Sequence, residues 1–391
     1  MSVVYLDYAA TTPVDPLVVA AMTKALSSPQ IFANAESKTH QYGWLAEQAI
    51  ESARLDLADA VGAETSDVIW TSGATESNNL AIQGLIGSLL ESQQNETVVS
   101  RLHIITSAIE HKSVLQTCLA MSKHPRIDIT VLQPDAHGQL SVEQVRSVIT
   151  PQTVLISLMQ VNNELGTINA ITEIARLIVD HPAFLHVDAA QSLGKVALNF
   201  KALGADMVSL SAHKAYGPKG VGVLLANTHA RRQLKPLCWG GRHELGLRPG
   251  TLATHQIVGM ALSVSLAKQR FSIDYAHVSQ LQQQFCEGVQ QLPHVVWHAA
   301  QASQRIPHIV NLGFVGLPGE LLLKALHEIA VASGSACNSV MLEPSHVLTA
   351  CGVSAELAAS SLRFSFGRLT TQEDIVRTLE HLRYVTNRLR G

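Results

Sequence analysis

Between about residues 66 and 226, short β-branched runs alternate with helix-length amphipathic segments, and this alternation restricts the fold more than any other feature of the chain. The runs are DVIW (67–70), LHIIT (102–106), IDITVL (127–132), TVLISLMQV (153–161), FLHV (184–187), DMVSL (206–210) and VGVLL (221–225). Between them, segments such as 76–90 and 170–180 carry apolar residues at helical spacing. Strands separated by helices cannot pair as tight hairpins, so the pattern predicts an α/β fold with a largely parallel sheet covered on both faces. Ahead of it, Ile50, Ala53, Leu57 and Val61 share one helical face, and Gly62 supplies the stop.

After about residue 254 the texture changes. Long helical patterns (254–270, 275–291 and 371–390) enclose a few strands such as 308–314 and 361–366, which predicts a second, smaller domain. A chain of 391 residues has room for both cores. No internal repeat or low-complexity tract is visible.

Composition narrows the class of function. With 47% hydrophobic and 15% charged residues the chain reads as a well-buried enzyme, and a net charge of -3 offers no basic footprint for nucleic acid. MSVVYLDYAATT has neither a basic n-region nor a long apolar h-region, and no apolar run is long enough for a membrane span, so a cytoplasmic protein is expected. Five cysteines (118, 238, 286, 337, 351) lie far apart with no C-x-x-C pair, which suggests neither a disulfide framework nor a zinc knuckle. Cys118, Cys238, Cys286 and Cys351 sit in helical or apolar contexts and read as buried structural thiols. Cys337, in ASGSACNSV among small residues, reads instead as part of a loop. There is no H-E-x-x-H, and no metal is expected.

Ligands of open α/β sheets bind outside the carboxyl ends of the strands, so the residues just after each run carry the chemistry. DVIW is followed by TSGATESNN, a Gly-containing turn that opens a helix and suits a phosphate, although an ordinary helix cap has the same look. LHIIT leads to His111, a common type of capping residue, and FLHV ends in Asp188, for which a helix cap is an equal alternative. DMVSL ends in Ser211, His213 and Lys214 before the turn AYGPKGVG, which lacks P-loop spacing. Taken jointly, a lysine for a Schiff base, an aspartate for a pyridinium nitrogen and a phosphate cradle are the parts of a pyridoxal phosphate site.

Over nearly its whole length the chain resembles the cysteine desulfurases of the aminotransferase class V, fold type I group. The resemblance rests on YLDYAATTPVDP, TSGATESNNLAI, EHKSV, VNNELG, HVDAAQSLGK, SAHKAYGPKG, HELGLRPGT, SGSACNSVMLEPSHVL and SSLRFSFGR. It implies a large cofactor domain over 15–254 with a mainly parallel seven-stranded sheet, and a small α+β domain from 1–14 and 255–391 that carries the cysteine loop. Lys214 would be the Schiff-base amine, Asp188 the partner of the ring nitrogen, His111 the residue stacked on the ring, and Gln191 the neighbour of its phenolic oxygen. Ala74, Thr75, Ser211 and His213 would hold the phosphate, joined by Thr251 from the second subunit of a homodimer. Asn163 and Arg363 would hold the carboxylate of L-cysteine, with Asn34 also at the substrate, and Cys337 would be the nucleophile that carries sulfur away as a persulfide to an acceptor protein.

Two departures concern surfaces more than chemistry. The family's FGNPAS is here FANAES, and its GGGHERG-like segment is GGRHELG, with Arg242 and Leu245 as the changes. The sequence stops at RLRG, short of the tail with which housekeeping desulfurases dock a cluster scaffold, so tRNA thiolation and DNA sulfur modification stand beside iron–sulfur cluster assembly as destinations. Selenocysteine lysis or transamination in the same fold is the nearest alternative, and a non-catalytic binding protein is a more distant one.

Overall fold

The computed structural model describes residues 3–27, 29, 31–92, 101–333 and 344–391. The chain begins with β1 (Val4–Tyr5), α1 (Pro16–Ser27) and α2 (Gln41–Val61). His40 caps α2 by accepting from the Gly43 N–H, and Gly62, in the left-handed region at φ 67°, ends it. The alternating region follows as β2 (Val68–Thr71), α3 (Ala74–Ser92), β3 (Leu102–Ser107), α4 (Lys112–Met121), β4 (Ile127–Leu132), α5 (Val142–Val148), β5 (Thr153–Met159), α6 (Ile171–Leu177), β6 (Phe184–Asp188), α7 (Phe200–Leu203), β7 (Met207–Ser211), β8 (Gly222–Ala226) and α8 (Thr228–Gln233).

Seven strands form one sheet in the order β2-β8-β7-β6-β5-β3-β4. Only β8 runs against its neighbours, pairing antiparallel with both β2 and β7. The reversal has a local cause: β7 and β8 are joined by the short 3-10 turn Ala212–Lys214 and a Gly/Pro loop, too little chain for a crossover helix. The carboxyl ends of β2, β3, β5, β6 and β7 therefore meet the amino end of β8 along one edge. Apolar cores lie on both faces, one including Trp70, Ile105, Ile156, Val187 and Leu210, the other Ile69, Leu85, Ile104, Leu155 and Leu224. That two-sided burial explains why these strands are almost continuously apolar.

The rest of the chain supplies α9 (Thr254–Val289), β9 (Val295–His298), β10 (Ile309–Phe314), α10 (Gly319–Ala325), β11 (Ile329–Ala330), β12 (Ala332–Ser333), α11 (His346–Ala350), α12 (Ala355–Ala359), β13 (Ser361–Ser365) and α13 (Gln372–Arg390). An antiparallel sheet, β12-β13-β10-β9, packs its own core around Leu312, Phe364 and Phe285. The two helical stretches expected at 254–270 and 275–291 are one helix, because no glycine or proline breaks the chain between them. Its first half buries Ile257, Met260 and Val264 against the large-sheet core, and its second half buries Val278, Leu281 and Phe285 in the smaller one.

The amino-terminal strap joins the two parts. β1 pairs with β11 in parallel, Asp7 accepts from Arg363 at 2.8 Å, and Thr12 donates from its backbone N–H to His213 O at 2.8 Å. Strand-end loops of the large sheet and strand β13 of the small one thereby face a common space.

Candidate active site

That space is a cavity of about 700 Å³ at the carboxyl edge of the large sheet. Ala74, Thr75, His111, Asn163, Asp188, Gln191, Ser211, His213, Lys214 and Arg363 all line it, so ten sequence-predicted residues from six different strand ends and loops converge. Asn34 and Thr251 do not line it in their own chain; both are exposed. Asn34 instead turns its own loop, accepting from the Glu36 N–H at 3.0 Å. Cys337 lies outside the described residues.

The floor is built around Asp188, the last residue of β6 and buried. Its Oδ1 accepts the Ala190 N–H at 2.9 Å, and its Oδ2 accepts from Asn78 Nδ2 at 2.9 Å. The same amide nitrogen donates to Ser113 Oγ at 2.8 Å, tying α3 to α4. Both carboxylate oxygens are thus held in place, and the segment that follows β6 is a turn, with no helix for Asp188 to cap before α7. Asn78 carries no motif of its own in the sequence; its one signal is position, one turn into the helix that opens after TSGATE.

Around this acid burial governs the charge states. His111 is held below the usual imidazole range, first by burial and then by the Lys214 amine. Ser113 donates its backbone N–H to His111 Nδ1 at 3.1 Å, and because a backbone N–H only donates, the neutral ring carries its proton on Nε2. Burial, reinforced by Lys214, Lys219 and Lys195, pushes His213 down to about 4. Beneath the site, burial raises Glu110 to about 8, so it stands protonated at neutral pH, accepting from Ser107 Oγ and from the Met159 N–H at 3.1 Å. His186 is pushed to about 4 by burial and bridges Ser157 and Ser209.

At one end of the cavity α3 begins, its first residues Ala74 and Thr75 opening on Gly73 at φ 153°. Gly222 at the start of β8 lies so close that a Cβ there would meet Gly73 Cα at 2.6 Å, and this contact requires a glycine. Glu76 lines the same end, but its charge is paired with Arg248 at 2.9 Å and its carboxylate accepts the Ser72 N–H at 2.7 Å. The helix amino terminus, Thr75, Ser211 and His213 then form a donor-rich end suited to a phosphate. At the other end, the Arg363 guanidinium donates to Asn163 O and to Asp7 Oδ1, both at 2.8 Å. Arg363 Nε and Asn163 Oδ1 are buried there without a hydrogen-bond partner among the described residues. A buried carboxylate, a lysine amine, a donor-rich helix terminus and unsatisfied polar atoms together fit pyridoxal phosphate with an amino acid beside it.

Three further cysteines bear on the assignment of the nucleophile. Burial raises the thiols of Cys118, Cys286 and Cys351 to about 12, as expected of structural residues. Cys238 departs from that expectation: it is exposed, because the segment after α8 leaves the core for the surface.

Residues 4–378 match the family profile of the aminotransferase class-V proteins. The chain is 44% identical over 387 residues to the cysteine desulfurase IscS of Vibrio vulnificus (strain CMCP6), covering 99% of this chain and 93% of that protein. Among solved structures it is similar to a NifS-like protein, with a TM-score of 0.88 at 29% identity over 99% of this chain and all of that one. It is also similar to SspA in complex with cysteine, with a TM-score of 0.80 at 37% identity over 94% of this chain and 99% of that one.

Proposed function

This chain belongs to the aminotransferase class-V family and is a pyridoxal-phosphate-dependent cysteine desulfurase, and we propose that it converts L-cysteine to L-alanine in the cavity at the carboxyl edge of its large sheet. The observation that carries the assignment of the site is the convergence of Lys214, Asp188 and the amino terminus of α3 on one space. Bound there, pyridoxal phosphate supplies an electron sink that acidifies the substrate's Cα–H bond and weakens its C–S bond.

Each residue has a task that its surroundings support. Asp188, held by Asn78 and Ala190, keeps a proton on the ring nitrogen. Gln191 would face the phenolic oxygen, while Ala74, Thr75, Ser211 and His213, which line the same cavity, would hold the phosphate. Arg363, with Asn163, receives the substrate carboxylate, a task suited to a guanidinium fork. Lys214 would take the proton from the substrate's Cα. His111, whose Nδ1 accepts from Ser113, presents its Nε2–H as a hydrogen-bond donor beside the substrate sulfur.

Sulfur leaves through Cys337. Its thiolate attacks the substrate sulfur, the C–S electron pair passes to carbon, and that carbon takes a proton to become the methyl group of alanine. The sulfur stays on Cys337 as a persulfide for an acceptor protein, in cluster assembly or in thiolation of tRNA or DNA. The test is alanine release together with intact-mass detection of one added sulfur. Cys337→Ser should bind cofactor and L-cysteine yet form no persulfide and little alanine, while Cys351→Ser should behave as wild type. Normal alanine release by Cys337→Ser would leave transamination or lyase chemistry instead.

A homodimer is the assembly that best accounts for Thr251 and Asn34. Both are exposed, and their segments are linked: His243 lies 3.6 Å from Glu36 and accepts the Gly250 N–H at 3.3 Å. The same segments expose Phe32, Tyr42, Trp44, Trp239 and Leu245, an apolar surface that a second copy would cover. Among the described residues no helix is long and apolar enough to cross a membrane, and the reading is of a cytoplasmic enzyme.

A further inference from the structure

Lys195 has no place in the chemistry above, yet it is buried four residues along the same turn from Gln191 and close to the reacting lysine. Its amine, which burial lowers to about 7, donates in either charge state to Gln191 Oε1, and Gln191 Nε2 donates to Ala9 O at 2.8 Å. A backbone carbonyl only accepts, so the second bond fixes which end of the carboxamide faces Ala9, and Lys195 satisfies the oxygen that remains. Gln191 is 3% exposed and lines the cavity beside Asp188 and Lys214. Both acceptor and first donor of its amide are spent on the wall, and the second N–H of Nε2 is what it can offer inward. With an apolar side chain at position 195, Oε1 would be a buried acceptor lacking its donor, and rotation toward the cavity would be the cheapest repair.

We infer that Lys195 is a positioning residue: it commits Gln191 to present a hydrogen-bond donor, never an acceptor, to the cofactor's phenolic oxygen. This rests on the pyridoxal phosphate reading of the cavity. A donor at that oxygen stabilises its ionised form, so Lys195 acts on the charge of the cofactor without touching it. The role is distinct from that of Lys214, although the two amines line one small internal cavity of about 20 Å³, room for a single water.

The experiment compares wild type, Lys195→Met, Lys195→Arg, Gln191→Ala and the Lys195→Met/Gln191→Ala double variant. For each, the pH midpoint of the cofactor's visible band is titrated without substrate, and the affinity of apoprotein for pyridoxal phosphate is measured. Lys195→Met replaces a buried amine by an apolar chain of similar length, and far-UV circular dichroism checks its fold. Expected results are a shifted midpoint and roughly fivefold weaker cofactor binding in Lys195→Met, the same change in Gln191→Ala, no further change in the double variant, and recovery in Lys195→Arg, which still donates. A Lys195→Met midpoint equal to wild type, or effects that add in the double variant, overturns the inference while leaving the cofactor reading intact. A wild-type protein with no visible band overturns both.

Discussion

Asn78 donates to Asp188 at 2.9 Å across 110 residues of sequence, joining the first turns of α3 to the end of β6. The helix whose amino terminus opens on the cavity therefore also steadies the acid at its floor. Loss of this bond leaves Asp188 Oδ2 short of a donor in a buried site. Asn78→Ala should cost about 1–2 kcal/mol of stability and weaken cofactor retention, whereas Asp188→Asn should keep the fold and cut turnover by orders of magnitude. Thermal melts and steady-state alanine release separate the two, and an unaltered rate in Asp188→Asn would reduce that residue to a structural acceptor.

Lys214 is expected to be the point of covalent cofactor attachment. Borohydride treatment followed by denaturation should leave pyridoxal phosphate on the wild-type chain and release it from Lys214→Ala. Equal retention by the variant would move the attachment elsewhere.

Glu110 makes stability depend on pH. Burial raises its carboxyl from 4.5 to about 8, so the folded protein holds a proton that the unfolded chain releases. The contribution is complete below about pH 4.5 and is lost as pH rises towards 8, since stability falls wherever the native state binds more protons. Glu110→Gln needs no such proton and should gain on wild type by on the order of 3 kcal/mol between pH 5 and 8. Parallel melting curves for the two proteins over that range would show that the carboxyl is not protonated.

The exposed apolar face around Trp239 and Leu245 should close only in the dimer. Trp239→Asp with Leu245→Asp is expected to sediment as a monomer and to hold cofactor more weakly, because Thr251 would no longer reach a neighbouring site. A wild-type protein that sediments as a fully active monomer would remove the partner's contribution.

Sequence alone determined the strands of the large sheet and which residues stand at their ends. Periodicity placed all seven strands of the large sheet to within two residues at each end, because side-chain burial repeats locally along a strand or helix whatever its partner is. Lys214, Asp188, Ser211 and His213 were legible for the same reason: they follow buried runs, and strand ends in such sheets converge. Tertiary structure decided what depends on residues far apart in the chain. The reversed direction of β8, the single helix α9 serving two cores, the exposure of Cys238 and the pairs Asn78–Asp188, Lys195–Gln191–Ala9 and Arg363–Asp7 all fall in this class. A polar side chain looks the same in sequence whether it is solvated or holds another residue in place; only burial, by removing water as the alternative partner, makes its hydrogen bond obligatory and its role specific.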